Sequence, residues 1–165
     1  MRICICLCTA LLASAATASA ATPELFAEGR TRLSVAAGSG RFAGTNRIIV
    51  GGGLGYFIVD GLELSIEADA WFGGDVGLAR VSPSARYVFW QITGITPYAG
   101  AFYRRWFVGA PFDDLDTVGV RLGGFAGRTG QSYLGLGLAY ERQVAPECSE
   151  SCSYLYPELT VALGF

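Results

Sequence analysis

The stretch LELSIEADA, Leu62 to Ala70, alternates without a break. Leu62, Leu64, Ile66, Ala68 and Ala70 are apolar, and Glu63, Ser65, Glu67 and Asp69 between them are polar or charged. In an extended strand the two sets point to opposite sides. A soluble sheet would bury the aliphatic row and wet the acids. A barrel in a membrane would do the reverse, setting the aliphatics in hydrocarbon and the acids inside the tube. The rest of the chain has to decide between them.

The chain has 165 residues. Its first twenty read as a secretory signal: Arg2 is a short positive start, Ile3–Ala13 is apolar, and Ala18-Ser19-Ala20 fits the small-x-small cleavage pattern. The apolar run is too short to span a bilayer as a helix, and no other stretch approaches the necessary length. The expected organisation is therefore a signal peptide over 1–20 and one domain over 21–165. The chain has no histidine, and every basic residue is an arginine. No basic patch interleaved with aromatics is present, so nothing supports a nucleic-acid partner. Mean hydropathy is +0.39, high for a secreted protein, yet the apolar residues are dispersed at every second position rather than gathered in blocks.

Eight extended segments are predicted, approximately Gly29–Gly38, Arg47–Val59, Leu62–Phe72, Leu78–Trp90, Pro97–Val108, Val118–Arg128, Ser132–Val144 and Tyr154–Phe165. No segment has a helical period. The links at Asp60-Gly61, Gln91–Thr96 and Arg128–Gln131 are compact. Those at Gly38–Asn46, Gly109–Thr117 and Ala145–Ser153 are longer and more polar, with Gly73–Gly77 a brief exception. In an up-and-down barrel the compact links then share one end with both termini, an asymmetry typical of outer-membrane barrels. About eleven residues at roughly 3.3 Å each, tilted by about 40°, cover about 28 Å, enough for the apolar band.

One face of the segments collects Leu33, Val35, Ile48, Val50, Leu54, Val81, Val120, Leu122, Leu134, Leu136, Leu138, Leu159, Val161 and Leu163. The other collects glycine, serine and the charges. An arginine on a lipid face near the midplane costs about 2–4 kcal/mol. Such segregation fits a chain under that penalty better than a lipocalin-like barrel, whose wet face would be strewn with glycine. The expected fold class is all-β: an eight-stranded antiparallel up-and-down transmembrane β-barrel in the bacterial outer membrane.

Eight strands enclose an interior just wide enough for side chains. The interior candidates balance in sign: Arg32, Arg80, Arg86, Arg105 and Arg121 against Glu63, Glu67, Asp69, Glu141 and Glu158. Arginine suits such a network because its planar fork holds carboxylates and stays charged. Because Arg104 and Arg105 are adjacent, parity leaves one of them outside; Tyr103 and Arg105 are placed inside. The expected function is a structural barrel with a charge-plugged lumen, any surface interaction being carried by the loops. The alternative is a narrow channel for small solutes or ions. Phe89, Trp90 and Tyr98 on one side, and Phe72, Trp106 and Phe107 on the other, are expected in aromatic girdles; Trp71 points inward by parity.

These features together resemble the small eight-stranded outer-membrane barrels, the OmpX-like and OmpA transmembrane-domain-like proteins. The resemblance covers Ala21–Phe165 and is carried by PYAGAFYRR (Pro97–Arg105) and ELTVALGF (Glu158–Phe165), although Phe102 stands where that family's motif has a second glycine. It implies that Val161, Leu163 and Phe165 form the signal read by the outer-membrane assembly machinery, and that the protein is a monomer among outer-membrane lipid and lipopolysaccharide. Arg41 and Arg47 are candidates for lipopolysaccharide phosphates.

Cys148 and Cys152 lie close together in a chain delivered to an oxidising compartment, and a local disulfide is expected. No catalytic residue is identified: without histidine, Ser82 and Ser84 have no ordinary base. Asp113, Asp114 and Asp116 hint at calcium, but without a full loop pattern they read better as a solvated acidic loop. No metal site and no cofactor is expected.

Overall fold

The computed structural model describes residues 25–42, 45–74, 76–92, 94–111, 113–129, 132–144 and 153–165, with backbone alone at 38–42, 127–129 and 154. The segment expected to be a signal peptide and the Cys148/Cys152 pair lie outside the described residues. Eight strands close into one antiparallel barrel in sequence order. They are β1 (Thr31–Phe42), β2 (Thr45–Val59), β3 (Leu62–Phe72), β4 (Leu78–Val88), β5 (Thr96–Val108), β6 (Leu115–Thr129), β7 (Ser132–Gln143) and β8 (Ser153–Gly164).

The strands are longer than expected at the loop end. The β1–β2 ladder continues to Phe42↔Thr45, absorbing most of a predicted loop, and β6 begins at Leu115, where Asp116 faces Arg105 across the ladder. Small residues such as Gly38, Ser39 and Gly40 favour loops by propensity, but backbone pairing along an established hairpin overrides that preference. At the turn end Asp60-Gly61 joins β2 to β3, and Gly61 takes the left-handed conformation, φ +80°, that its turn requires.

The opening alternation resolves in favour of an inside-out barrel. Leu64 is 46% exposed on the outer wall while its neighbour Glu63 is fully buried inside. Ile48, Val50, Leu54, Val120, Leu122, Leu136, Leu138, Leu159 and Val161 are likewise exposed, whereas Arg32, Arg86, Arg121 and Glu141 are buried. Apolar burial therefore does not organise the barrel's middle; a polar interior does.

That interior is fitted by opposing glycines to large side chains. Gly51, Gly53 and Gly55 lie where a methyl group would collide with Asp69, Glu67 and Glu63 of β3. Gly119 makes room for Phe102, and Gly123 and Gly137 for Tyr98. The GGGLG run of β2 is thus the negative of the acid row facing it.

Candidate functional site, the charged lumen

At the loop end of the lumen, Asp69 accepts from Arg80 Nε through Oδ1 and Oδ2 at 2.7 and 2.9 Å, and from Trp71 Nε1 at 2.8 Å. The Arg80 guanidinium lies over Trp71 and Trp106, 5.1 and 4.7 Å from their ring centres. Beneath them, Glu141 accepts from Arg104 Nη1 at 2.5 Å, Tyr156 at 2.8 Å, Thr117 at 2.5 Å and Trp106 at 3.3 Å. Arg104 also donates to Ser82 at 2.8 Å.

The middle of the tube turns on Glu67. Arg121 reaches both its oxygens at 3.2 Å, Arg86 approaches to 3.5 Å and Arg32 to 3.6 Å. Arg32 is held first by Glu63, at 2.6 Å. Glu158 stands 3.8 Å from Arg121. Among the described residues Arg86 pairs with no carboxylate but the shared Glu67, and its Nε and Nη1 make no hydrogen bond. Its guanidinium lies over the Tyr98 ring instead, at 4.8 Å.

The turn end is stoppered by apolar and aromatic groups. Phe26, just before β1, is completely buried against Phe57, Phe125 and Tyr133, with ring centres 5.6–5.8 Å apart. Its carbonyl accepts from Gly61 N at 2.8 Å, Glu28 N donates to Asp60 Oδ1, and Gly29 N donates to Phe57 O. Leu25, Val88, Tyr98 and Ala162 complete the cluster, with Trp90 packed against it.

The expected network is present except at one member. Arg32, Glu63, Glu67, Asp69, Arg80, Arg86, Arg121, Glu141 and Glu158 meet inside. Arg105 does not: it lies on the outer wall, bound to Asp116 at 2.9 Å and Asp114 at 3.2 Å, and Arg104 takes the inner place. Tyr103, also placed inside by the sequence reading, is exposed and donates to Asp116 at 2.7 Å. An arginine is tolerated there because two carboxylates and a hydroxyl surround it close to the loop end.

Two girdle assignments also change: Trp106 and Tyr98 belong to the lumen, whereas Phe72, Phe89 and Phe107 are exposed. Arg47 is buried and donates to the Val76 carbonyl, so it does not present itself to a phosphate; the Arg41 side chain is not described. Sequence reasoning missed the Phe26 stopper. Its one available signal was a Leu-Phe pair standing alone before the first alternating segment.

The C-terminal rows are placed as expected. Val161, Leu163 and Phe165 are exposed on the outer wall, and Phe165 exchanges two backbone hydrogen bonds with Thr31 at 2.9 and 3.0 Å.

No protein-family model and no curated protein matches the chain. Among solved structures, it is similar to the N-terminal β-barrel domain of Pseudomonas aeruginosa OprF, with TM-score 0.62 and 19% identity over 84% of this chain and 98% of that one. It is also similar to Neisserial surface protein A, NspA, with TM-score 0.51 and 18% identity over 82% and 93%. At such identities the likeness is one of fold: a small closed barrel of antiparallel strands.

Proposed function

We propose that this chain is a structural, monomeric barrel of the bacterial outer membrane with a plugged lumen and no catalytic role. The observation that carries the proposal is the inversion of the wall: large apolar side chains ring the outside and paired charges fill the inside. Exposed large aliphatic or aromatic side chains on every strand are intolerable in water as one continuous belt, whereas hydrocarbon satisfies them. The likeness in fold to OprF and NspA supports the same setting. The lumen is crossed by the Arg104–Glu141 and Arg121–Glu67 pairs and stoppered by Phe26, which favours a plug over a bore.

Two measurements test this. Membrane-extracted protein should migrate differently on gels before and after boiling, as a folded barrel resists denaturation by detergent. In planar bilayers the purified protein should give no steady, large single-channel steps; such steps would establish the channel reading instead. The lipid-facing assignment is tested by Leu136→Arg. It should cost about 2–4 kcal/mol in urea unfolding from lipid vesicles if Leu136 lies near the midplane. An unchanged unfolding midpoint would remove the lipid from that wall.

We also propose that Val161, Leu163 and Phe165 are read by the assembly machinery. Their exposure beside the Thr31–Phe165 junction is consistent with a signal presented at the barrel's closing edge.

A further inference from the structure

The barrel's closing seam is paired along only part of its length. From the Thr31–Phe165 exchange, the β1–β8 register runs through Arg32↔Gly164 and ends at Val35↔Val161. Above this point β1 continues to Phe42 paired with β2, and β8 from Ser153 is paired with β7, but among the described residues no ladder joins Ala36–Phe42 to Ser153–Thr160. Proline is confined to strand edges and bulges because it lacks a ladder donor, and Pro157 falls within the open half of β8.

What lies behind the open half differs from the rest of the lumen. Two inward carboxylates nearby are accessible, Glu67 at 23% and Glu158 at 16%, while Asp69 and its partner Arg80 are equally exposed at 15%. Arg121, Arg86 and Arg32, which surround Glu67, are at most 3% exposed. Although the network is balanced in sign, around Glu67 and Glu158 the exposed side chains are the acids rather than the arginines. Ala36, Gly51 and Gly53 take up little room there. A second ladder interruption, beside Pro83, has no such opening: the β4–β5 register skips from Val81 to Ser84, but the buried Arg104–Ser82 hydrogen bond backs it. On its outer side the seam is flanked by exposed Val35, Leu155, Leu159 and Val161.

We propose that the upper β1–β8 seam is a lateral portal for a single-chain cationic amphiphile, its alkyl chain remaining among lipids and its ammonium head bound at Glu158. This rests on the membrane reading above. Unpaired strand edges cannot face hydrocarbon without a hydrogen-bonding partner, so the slot must be wetted from the lumen or filled by a polar group. Glu158 is suited to a cation because its nearest arginine is 3.8 Å away and already holds both oxygens of Glu67. The apolar flanks accommodate the chain.

The test is amide NMR on the full mature barrel in zwitterionic nanodiscs, titrated with dodecylammonium, dodecanol or dodecyl sulfate. Dodecylammonium alone should give saturable shifts at Ala36, Ala37, Glu158 and Leu159. Glu158→Gln should weaken its apparent affinity about tenfold or more. A second variant, Ala37→His with Leu159→His, installs a zinc clamp in a chain that has no other histidine. Zinc should abolish the shifts, and chelation should restore them. The portal is refuted if Ala36–Gly40 amides exchange with solvent as slowly as Leu33, since the seam is then zipped. It is equally refuted if Glu158→Gln leaves amine binding unchanged in a barrel whose gel mobility remains heat-modifiable. Loss of that mobility in the parent protein would instead overturn the membrane reading.

Discussion

Replacing Glu67 with alanine is expected to destabilise the barrel by about 3–5 kcal/mol, the usual consequence of removing one partner from a buried charge cluster. Three guanidiniums converge on this carboxylate, Arg121 at 3.2 Å, Arg86 at 3.5 Å and Arg32 at 3.6 Å. Arg32 retains Glu63, and Arg121 retains the more distant Glu158. Arg86 loses its carboxylate partner and keeps only the faces of the Tyr98 and Phe125 rings. Its Nε and Nη1 have no hydrogen-bond partner even in the intact protein. Arg86→Met alone should therefore cost far less than Glu67→Ala, because it removes the charge together with its desolvation penalty. In the double variant the Arg86 substitution should recover a substantial part of the Glu67→Ala loss, a coupling that independent sites would not show. Urea unfolding of each variant in lipid vesicles measures all three quantities. A Glu67→Ala barrel as stable as the parent would mean that water solvates the three arginines well enough without the carboxylate.

The Glu67 hub also shows which parts of the site the sequence makes legible. Period-two alternation assigns a side chain to a face, so the inward placement of Glu63, Glu67 and Asp69 can be read directly from Leu62–Ala70. It says nothing about which inward arginine meets which inward acid. Arg121 and Glu67 are far apart in sequence and lie on non-adjacent strands, and only barrel closure across the lumen brings them to 3.2 Å.

Arg104 and Arg105 mark the complementary failure. Two adjacent arginines cannot share a face, and the alternation within β5 alone gave no reason to prefer either. The deciding facts lie on other strands: Asp116 of β6 stands opposite Arg105 in the register, and Glu141 of β7 waits across the lumen for Arg104. The seam was illegible for a related reason. Periodicity detects a strand, not whether both its edges are paired.

Phe26→Ala should cost about 3–5 kcal/mol, as expected for a large aromatic removed from a fully buried site. The aromatic cage of Phe57, Phe125 and Tyr133 is carried by β2, β6 and β7, whose ladder pairs do not include Phe26, so it should keep its shape and leave a cavity. Phe26→Leu should lose less, because it refills part of the space. The same variant separates two kinds of closure. If Phe26 were the principal barrier, Phe26→Ala would open a conducting path in planar bilayers. The Glu67 cluster and the Arg104–Glu141 pair still cross the tube above it, so the variant should be destabilised and remain silent. Conductance from Phe26→Ala alone would show that the ion pairs leave a path for ions and that the N-terminal aromatic is the gate. Silence with an unchanged unfolding midpoint would instead show that the segment before β1 does not occupy the barrel mouth in the membrane.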